Sequence, residues 1–309
     1  MKGQDVGKAF LINLICTSVI MVCMLPELRG FKYEFDKDLN RRMLHYCLPL
    51  LILGIAGILN QVADKIIFPY VYPDKAQGIV ELGIYGACVK IAMIMAMLTQ
   101  AFRYAYEPFV FGKSRDKDSK EVYAQGMKFF IIFALLAYLA VVFYLDILKY
   151  LIGRGYWEGL KVVPIVMMAE VFMGVYFNLS FWYKLIDETH WGASFSIIGC
   201  ITLVFVNIFF IPKYGYMACA WAGFCGYGIA MLLSYSIGQK KYPIDYDLKS
   251  IGTYVLLAAA LYVVAECLEI ENLWIRLVFR TILLLIFVAF IIKRDLPLRN
   301  IPLINRFIK

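Results

Sequence analysis

Charged side chains are scarce in this sequence: Asp, Glu, Lys and Arg make up 17% of its 309 residues, whereas 62% of the residues are hydrophobic. A water-soluble domain carries roughly a quarter charged residues and about half apolar ones. The shortage therefore argues against a soluble globular protein. The net charge of +8 is not gathered on a soluble basic face of the kind that binds nucleic acid, so we expect no nucleic-acid partner.

Histidine occurs only at His45 and His190, and the eight cysteines form no CxxC pair. A zinc-type ligand set is therefore missing, and we expect no metal and no cofactor. The sequence also lacks GxSxG, a phosphate-binding glycine loop and HExxH. Asp245-Tyr246-Asp247 resembles the metal-binding DxD of sugar-nucleotide transferases, but no nucleotide-binding domain surrounds this loop. We therefore expect a protein that is not an enzyme, with no catalytic residues.

Long apolar blocks make up most of the chain, and each approaches the roughly 20 helical residues needed to cross a hydrocarbon core of about 30 Å. Continuous blocks predict helices, whereas membrane strands would alternate in polarity. We therefore predict an all-α, polytopic integral membrane helical bundle with about nine transmembrane helices. The predicted helices lie near residues 9–25, 46–68, 82–101, 126–148, 160–183, 192–211, 217–237, 250–266 and 274–292.

Lysine and arginine are distributed unevenly between the two sets of connecting segments, with 19 on one side and 7 on the other. The richer set comprises the loops 26–45, 102–125, 184–191 and 238–249 and the tail from residue 293. Because basic residues accumulate in cytoplasmic loops, we predict that these loops and the C-terminus are cytoplasmic. The tail at 299–309 mixes basic and apolar residues, which suits either contact with anionic membrane lipids or a solvated terminus.

Two ionisable residues lie deep inside predicted membrane helices. Lys90 and Glu170 each follow the outer end of their helix by eight to ten residues, a depth of about 12 to 15 Å. Such groups commonly face a watery cavity and mark a substrate or ion path. The alternative is an ion pair between Lys90 and Glu170 that only locks two helices. Arg103 stands near the cytoplasmic end, where it suits either a first contact for an anionic head group or a surface pair with Glu107.

A second set of polar residues lies near the end of the helix predicted at 46–68. Asn60, Asp64 and Lys65 lie toward its outer end, about 27 Å from the cytoplasmic entry in the case of Asp64. We expect Pro69 and Pro73 to break the helix there. These residues are candidates for an external gate, and an ion anchor at the helix end is the alternative.

Three stretches resemble one protein family. ELGIYGACVKIAMIMAMLTQAFRYAYEPFVF (81–111) is similar to the helix in which polysaccharide exporters carry a GIY-small-small-x-K pattern. VVPIVMMAEVFMGVYFNLSFWYKLIDET (162–189) and FIPKYGYMACAWAGFCGYG (210–228) resemble two later helices of the same proteins. The resemblance is to bacterial lipid-linked oligosaccharide flippases of the O-antigen and capsule type. These belong to the multidrug/oligosaccharidyl-lipid/polysaccharide exporter superfamily.

The resemblance implies two six-helix bundles that face each other, with two extra helices at the C-terminus. On that plan, 1–45 would hold the last helix of the first bundle and a cytoplasmic connecting loop. Residues 46–237 would form the six-helix C-terminal transporter bundle, and 238–309 a cytoplasmic loop, two extra transmembrane helices and a basic tail. The chain would then be the C-terminal portion of a flippase from a truncated or split gene, with the first bundle as a possible partner on a separate chain.

The resemblance also implies a function: alternating access that moves undecaprenyl-pyrophosphate-linked oligosaccharide across the bacterial inner membrane for surface polysaccharide or lipopolysaccharide synthesis. Lys90 matches the family's lysine and is the first candidate for diphosphate contact. Glu170 and Arg103 are further cavity candidates. The residues proposed to face sugars are Tyr85, Tyr176 and Asn178.

Three other functions stay open at this point. A cation-coupled multidrug exporter of the same superfamily would use the intramembrane acids Asp64 and Glu170. A non-transporting remnant would leave both without a role. A membrane transferase or polymerase that acts on the same lipid carrier would need larger outer loops than the roughly ten residues present here.

Overall fold

A computed structural model describes residues 6–28, 36–113, 119–268 and 270–295. Within these ranges the chain is helical with short connections, and it contains no strand. Nine long helices carry the fold. They are α1 (Val6–Met24), α2 (Lys37–Val71), α3 (Lys75–Lys113), α4 (Ser119–Phe143), α5 (Val162–Leu179), α6 (His190–Tyr214), α7 (Tyr216–Lys241), α8 (Leu248–Cys267) and α9 (Leu273–Arg294).

Eight helical spans in the described part of the chain are long and apolar enough to cross a membrane: α2, α3, α4, α6, α7, α8, α9 and the stretch Arg154–Leu185 that contains α5. The first helix contributes a shorter apolar segment at Phe10–Met24. The predicted polytopic helical fold is therefore confirmed, and the chain is a multi-pass membrane protein. The predicted tail at 299–309 lies outside the described residues.

Helices α2 and α3 are longer than their apolar blocks predict, with 35 and 39 residues. At 1.5 Å per residue they reach about 50 Å and about 60 Å, which exceeds the hydrocarbon core. The loops predicted at 26–45 and 102–125 are therefore partly helical, and this expectation was wrong. Asp side chains explain two of the extended starts: Asp36 Oδ1 accepts the Asp38 N–H at 2.9 Å, and Asp74 Oδ1 accepts the Ala76 N–H at 2.8 Å.

Of the two prolines expected to break the helix predicted at 46–68, Pro69 does not end it. Pro69 lies inside α2, which continues to Val71, and Pro108 lies inside α3. Only Pro73 falls in the connection that follows α2. A proline removes one backbone donor but does not force a helix to end within the next residue or two.

The chain divides into two compact units, one up to His45 and one from Tyr46 onward. In the first unit, α1 exposes large apolar side chains, including Phe10 at 70% exposure. Its Thr17 and Ser18 hydroxyls donate to the carbonyls of Asn13 and Leu14, both at 2.8 Å. Inside an apolar helix, such bonds give polar groups a partner without water.

The second unit is a helical bundle in which α5 is central. Helix α5 packs against α3, α4 and α7, and α6 packs closely on α7. Gly199 and Gly226 make that close approach possible, because a Cβ on Gly226 would lie 2.9 Å from the Gly199 carbonyl oxygen. Small residues serve this purpose at helix contacts in membranes.

Two ion clusters attach the last helices to this bundle. Near the start of α9, Arg276 Nε and Arg280 Nη1 bind Asp146 Oδ2 at 2.9 and 3.1 Å. Near the end of α9, Asp295 accepts hydrogen bonds from Lys128 of α4 and Tyr254 of α8. The two clusters therefore fix α9 at both of its ends.

Candidate functional site

A cleft of about 500 Å³ opens between α2, α3, α5, α6 and α7. It extends along the bundle from the end that holds Lys184, which we call the Lys184 end. The apolar walls include Leu50, Leu53 and Met173. Its charged lining residues are Arg103, Glu107, Glu170 and Lys184. A cleft with apolar walls and a few convergent polar groups is the usual form of a binding site.

An ion cluster lies at the Lys184 end of the cleft. Glu107 Oε2 is 3.4 Å from Arg103 Nε, and its other oxygen, Oε1, is 2.7 Å from Lys184 Nζ. Arg103 also stacks over the ring of Phe177, with 4.7 Å from its guanidinium carbon to the ring centroid. The expected pair of Arg103 and Glu107 is therefore present, but it belongs to a cluster of three charges that lines the cleft.

Glu170 occupies the middle of the cleft. It stands on α5 and is half-buried, and among the described residues it has no hydrogen-bond or ion-pair partner. Gln61, Ala96 and Tyr227 surround the same stretch. A carboxyl group in this position is available to a ligand that enters the cleft, because no cation in the described part of the chain pairs with it.

A smaller pocket of about 170 Å³ continues beyond Glu170, away from the Lys184 end. Asn60 and Asp64 line it and are 9% and 8% exposed. The Tyr85 hydroxyl approaches the Asp64 carboxylate as a side-chain hydrogen-bond partner, and the Lys65 N–H donates to Asp64 Oδ1 at 2.8 Å. Asn60 Oδ1 is buried without a partner among the described residues. Asn60, Asp64 and Tyr85 are thus brought together.

Lys90 lies on the outside of this arrangement, in an open depression that it shares with Lys65, Gly83 and Gly86. Its side chain is exposed, as is that of Lys65. Lys90 and Glu170 line different cavities and form no ion pair, so the alternative in which they lock two helices together is not what the structure shows. Lys65 of α2 and Lys90 of α3 both line this depression and, among the described residues, no carboxylate lines it, which makes it the most cationic part of the site.

All three candidates for sugar contact are buried, and Tyr85, which is 5% exposed, lines the smaller pocket. Tyr176 is 3% exposed, and its hydroxyl is 3.1 Å from both the Gly192 carbonyl oxygen and Ser196 Oγ. Asn178 does not line the cleft; its Nδ2 donates to the Gly174 carbonyl at 3.0 Å. Tyr176 therefore presents only part of its ring to the cleft. Asn178 lines a separate small cavity beside Phe177, and its Oδ1 has no partner among the described residues.

The charges along the site are mixed rather than uniformly positive. Four cations line the cleft, pocket and depression, against three carboxylates. The cations are Arg103, Lys184, Lys65 and Lys90, and the carboxylates are Glu107, Glu170 and Asp64. Among the described residues, no group of three or more His, Cys, Asp or Glu stands close enough to share a metal ion.

Sequence reasoning missed Lys184 and Gln61 as site residues. Lys184 stands in the short helix Phe181–Leu185, 77 residues after its partner Glu107, so no local spacing connects the two. Gln61 lies next to Asn60 and lines both the cleft and the pocket.

Together, the bundle and its polar cleft define a class: a multi-pass helical membrane protein with a polar cleft inside the bundle. The fold is similar to the solved structure of the lipid II flippase MurJ in its inward closed conformation, with a TM-score of 0.65 and 17% sequence identity. The match covers 91% of this chain and 60% of the flippase chain. No protein-family model matches the sequence, and no curated protein matches it.

Proposed function

We propose that the chain is a flippase subunit or part that moves a lipid-linked oligosaccharide across a membrane by alternating access. One observation carries the proposal: a cleft with charged and polar groups lies inside a bundle with the fold of a lipid flippase. Lipid-facing helices have no use for such groups, because each ionised side chain in hydrocarbon costs several kcal/mol, about 2.5 to 3.5 on insertion scales.

The chemistry of the site suits a polyprenyl diphosphate that carries sugars, such as undecaprenyl-pyrophosphate-linked oligosaccharide. Lys90 and Lys65 offer positive charge to the diphosphate, and Arg103 offers a second contact near the Lys184 end. Gln61, Asn60 and Tyr227 offer hydrogen bonds to sugar hydroxyls. The polyprenyl chain stays in the lipid, so the protein needs no enclosed tunnel for it.

Alternating access requires a second surface that opens and closes against the first. The exposed lysines on α2 and α3 indicate where that surface lies, because exposed charges at this depth need water or protein opposite them. We therefore place a second helical bundle across the depression that holds Lys65 and Lys90. Asp64, Lys65 and Asn60 would then act near one gate, and Arg103 near the other.

The finer assignment follows the sequence resemblance. The cargo would serve surface polysaccharide synthesis of the O-antigen or capsule type, at the bacterial inner membrane, with the C-terminus in the cytoplasm. A cation-coupled multidrug exporter is the second candidate, favoured by the two carboxyl groups Asp64 and Glu170 inside the cavities.

Deletion of the gene in its own host tests the proposal. Lipid-linked oligosaccharide should accumulate and surface polysaccharide should fall, and the wild-type gene should restore both. Lys90→Ala should fail to restore them at equal expression. Lys75→Ala, an exposed lysine at the start of the same helix, serves as the control and should restore them fully. Unchanged lipid-linked oligosaccharide, with new sensitivity to lipophilic drugs, would support the exporter alternative.

A further inference from the structure

The three charges at the Lys184 end of the cleft are arranged unusually for a simple ion pair. Each oxygen of Glu107 faces a different cation, with 3.4 Å to Arg103 and 2.7 Å to Lys184. The side chains are largely enclosed: Lys184 is 12% exposed, Glu107 is 26% exposed and Arg103 is 32% exposed. One carboxylate therefore bridges two cations that stand on different elements, and one positive charge is left over.

Two cations on either side of one anion form a seat that a diphosphate also fits. A diphosphate carries more negative charge than a carboxylate and has oxygens on both phosphorus atoms. The planar guanidinium of Arg103 and the point charge of Lys184 are the two donor types that commonly bind phosphate. The seat opens into the cleft, because Arg103, Glu107 and Lys184 all line it.

Each of the two cations also has an aromatic contact that does not involve Glu107. Phe177 holds the Arg103 guanidinium at 4.7 Å from its ring centroid, and Lys184 Nζ lies 5.5 Å from the ring centroid of Phe181. Glu107 stands in the last two turns of α3, and the contacts given for its carboxylate are the two ion pairs with Arg103 and Lys184.

We propose that Arg103 and Lys184 form a diphosphate seat in which Glu107 is the resident counter-ion, displaced when the diphosphate enters the cleft. This inference rests on the proposed function and assigns the second diphosphate contact, the one at the Lys184 end, which lies apart from Lys65 and Lys90. In the empty protein, Glu107 satisfies two cations that would otherwise be enclosed and unpaired, which is costly. In the loaded protein, Glu107 moves aside, so the affinity for anions is set by a competition between carboxylate and diphosphate.

Binding to the purified full chain tests the seat. The probes are undecaprenyl diphosphate, neutral undecaprenol and inorganic diphosphate, and the apparent Kd is read by native mass spectrometry. Removing the competitor in Glu107→Gln should tighten undecaprenyl diphosphate binding on the order of tenfold, and Lys184→Gln should weaken it on the order of tenfold, since charge-assisted hydrogen bonds have that magnitude. Undecaprenol binding should not change in either variant.

A matched control exists at the same end of the protein. Lys241 Nζ binds Glu188 Oε2 at 2.6 Å, a similar ion pair that does not line the cleft. Lys241→Gln should leave all three affinities unchanged. The double variant Glu107→Gln/Lys184→Gln guards against misfolding, because it leaves no carboxylate unpaired. The double variant should bind undecaprenyl diphosphate much less tightly than Glu107→Gln does.

The possible results distinguish a failure of this inference from a failure of the proposed function. If the wild type binds undecaprenyl diphosphate but Glu107→Gln binds no tighter, the competition is wrong while the proposed function stands. If neither the wild type nor any variant binds undecaprenyl diphosphate or inorganic diphosphate, both are overturned. If only the Kd for inorganic diphosphate changes in Glu107→Gln and Lys184→Gln, the seat is supported and binds a free anion. If the Kd for undecaprenyl diphosphate changes in parallel with it, the seat binds the lipid head group.

Discussion

At the scale of single residues, enclosed carboxylates in this protein differ by whether a cation is matched to them. Asp295 accepts hydrogen bonds from Lys128 and Tyr254, and its side chain is 10% exposed. Glu170 stands in the cleft with no such partner among the described residues. The first arrangement stabilises the folded bundle, and the second is available to a ligand.

Asp295 should therefore be important for stability rather than for transport. Asp295→Asn removes the charge that Lys128 needs and should cost about 1 to 3 kcal/mol, seen as a lower melting temperature in detergent. Asp245→Asn, in an exposed loop position, is the control and should leave the melting temperature unchanged. Equal melting temperatures for Asp295→Asn and the wild type would contradict this role.

The same residue predicts a pH dependence. Burial raises the pKa of Asp295, but the hydrogen bonds from Lys128 and Tyr254 outweigh it, and the pKa is lowered from its ordinary value of 3.8. Because the folded pKa is the lower one, the stabilisation is complete above the ordinary value and is lost as the pH falls through the folded pKa. Between about pH 5 and about pH 3, the melting temperature of the wild type should fall further than that of Asp295→Asn. Parallel curves would show that Asp295 does not titrate differently in the folded protein.

At the scale of helices, the contact of α6 with α7 depends on two glycines. A Cβ on Gly226 would meet the Gly199 carbonyl oxygen at 2.9 Å, whereas a Cβ on Gly223 of the same helix would meet only Ala169 Cβ, at 4.0 Å. Backbone cannot move aside as a flexible side chain can, so the two positions should respond differently.

Gly226→Val should force α6 and α7 apart and cost about 1 to 3 kcal/mol. Gly223→Ala should be neutral, or should stabilise by about 0.5 to 1 kcal/mol, because alanine is the better helix former. The two melting temperatures, compared in the same detergent, check this. A Gly226→Val protein as stable as the wild type would mean that the helices do not approach as closely as the structure shows.

Helices were easier to predict from the sequence than the site was. All nine apolar blocks are helices, because a helix satisfies its backbone hydrogen bonds within one segment in lipid, and continuous apolar runs lack the alternation of membrane strands. The full lengths of α2 and α3 were not predicted. Charged residues beyond the membrane edge stay helical where an Asp side chain caps the start of the helix or where the helix packs on in the bundle. The ion pair of Glu107 with Lys184 spans 77 residues and has no local pattern. The direction in which Asn178 points depends on packing against neighbours that one sequence does not reveal.

At the scale of the whole molecule, the account predicts an orientation. Single cysteines placed in a background without the eight native ones should divide into two groups. Positions Asp187 and Asp245 should react with a membrane-impermeant maleimide only from the cytoplasmic side, and positions Asp74 and Gly155 only from the outside. Labelling of all four positions from one side would contradict the topology, and the reverse pattern would invert it.

The central claim is that the head group of a lipid-linked oligosaccharide passes through the cleft. A photo-crosslinking side chain at position 61 tests this claim in living cells, because Gln61 lines both the cleft and the smaller pocket beyond Glu170. The matched control is Leu59, two residues away, which lines neither of these cavities and is 44% exposed. After irradiation, mass spectrometry should find lipid-linked oligosaccharide attached at position 61 and not at position 59. Equal attachment at both positions, or attachment at position 59 alone, would contradict the account.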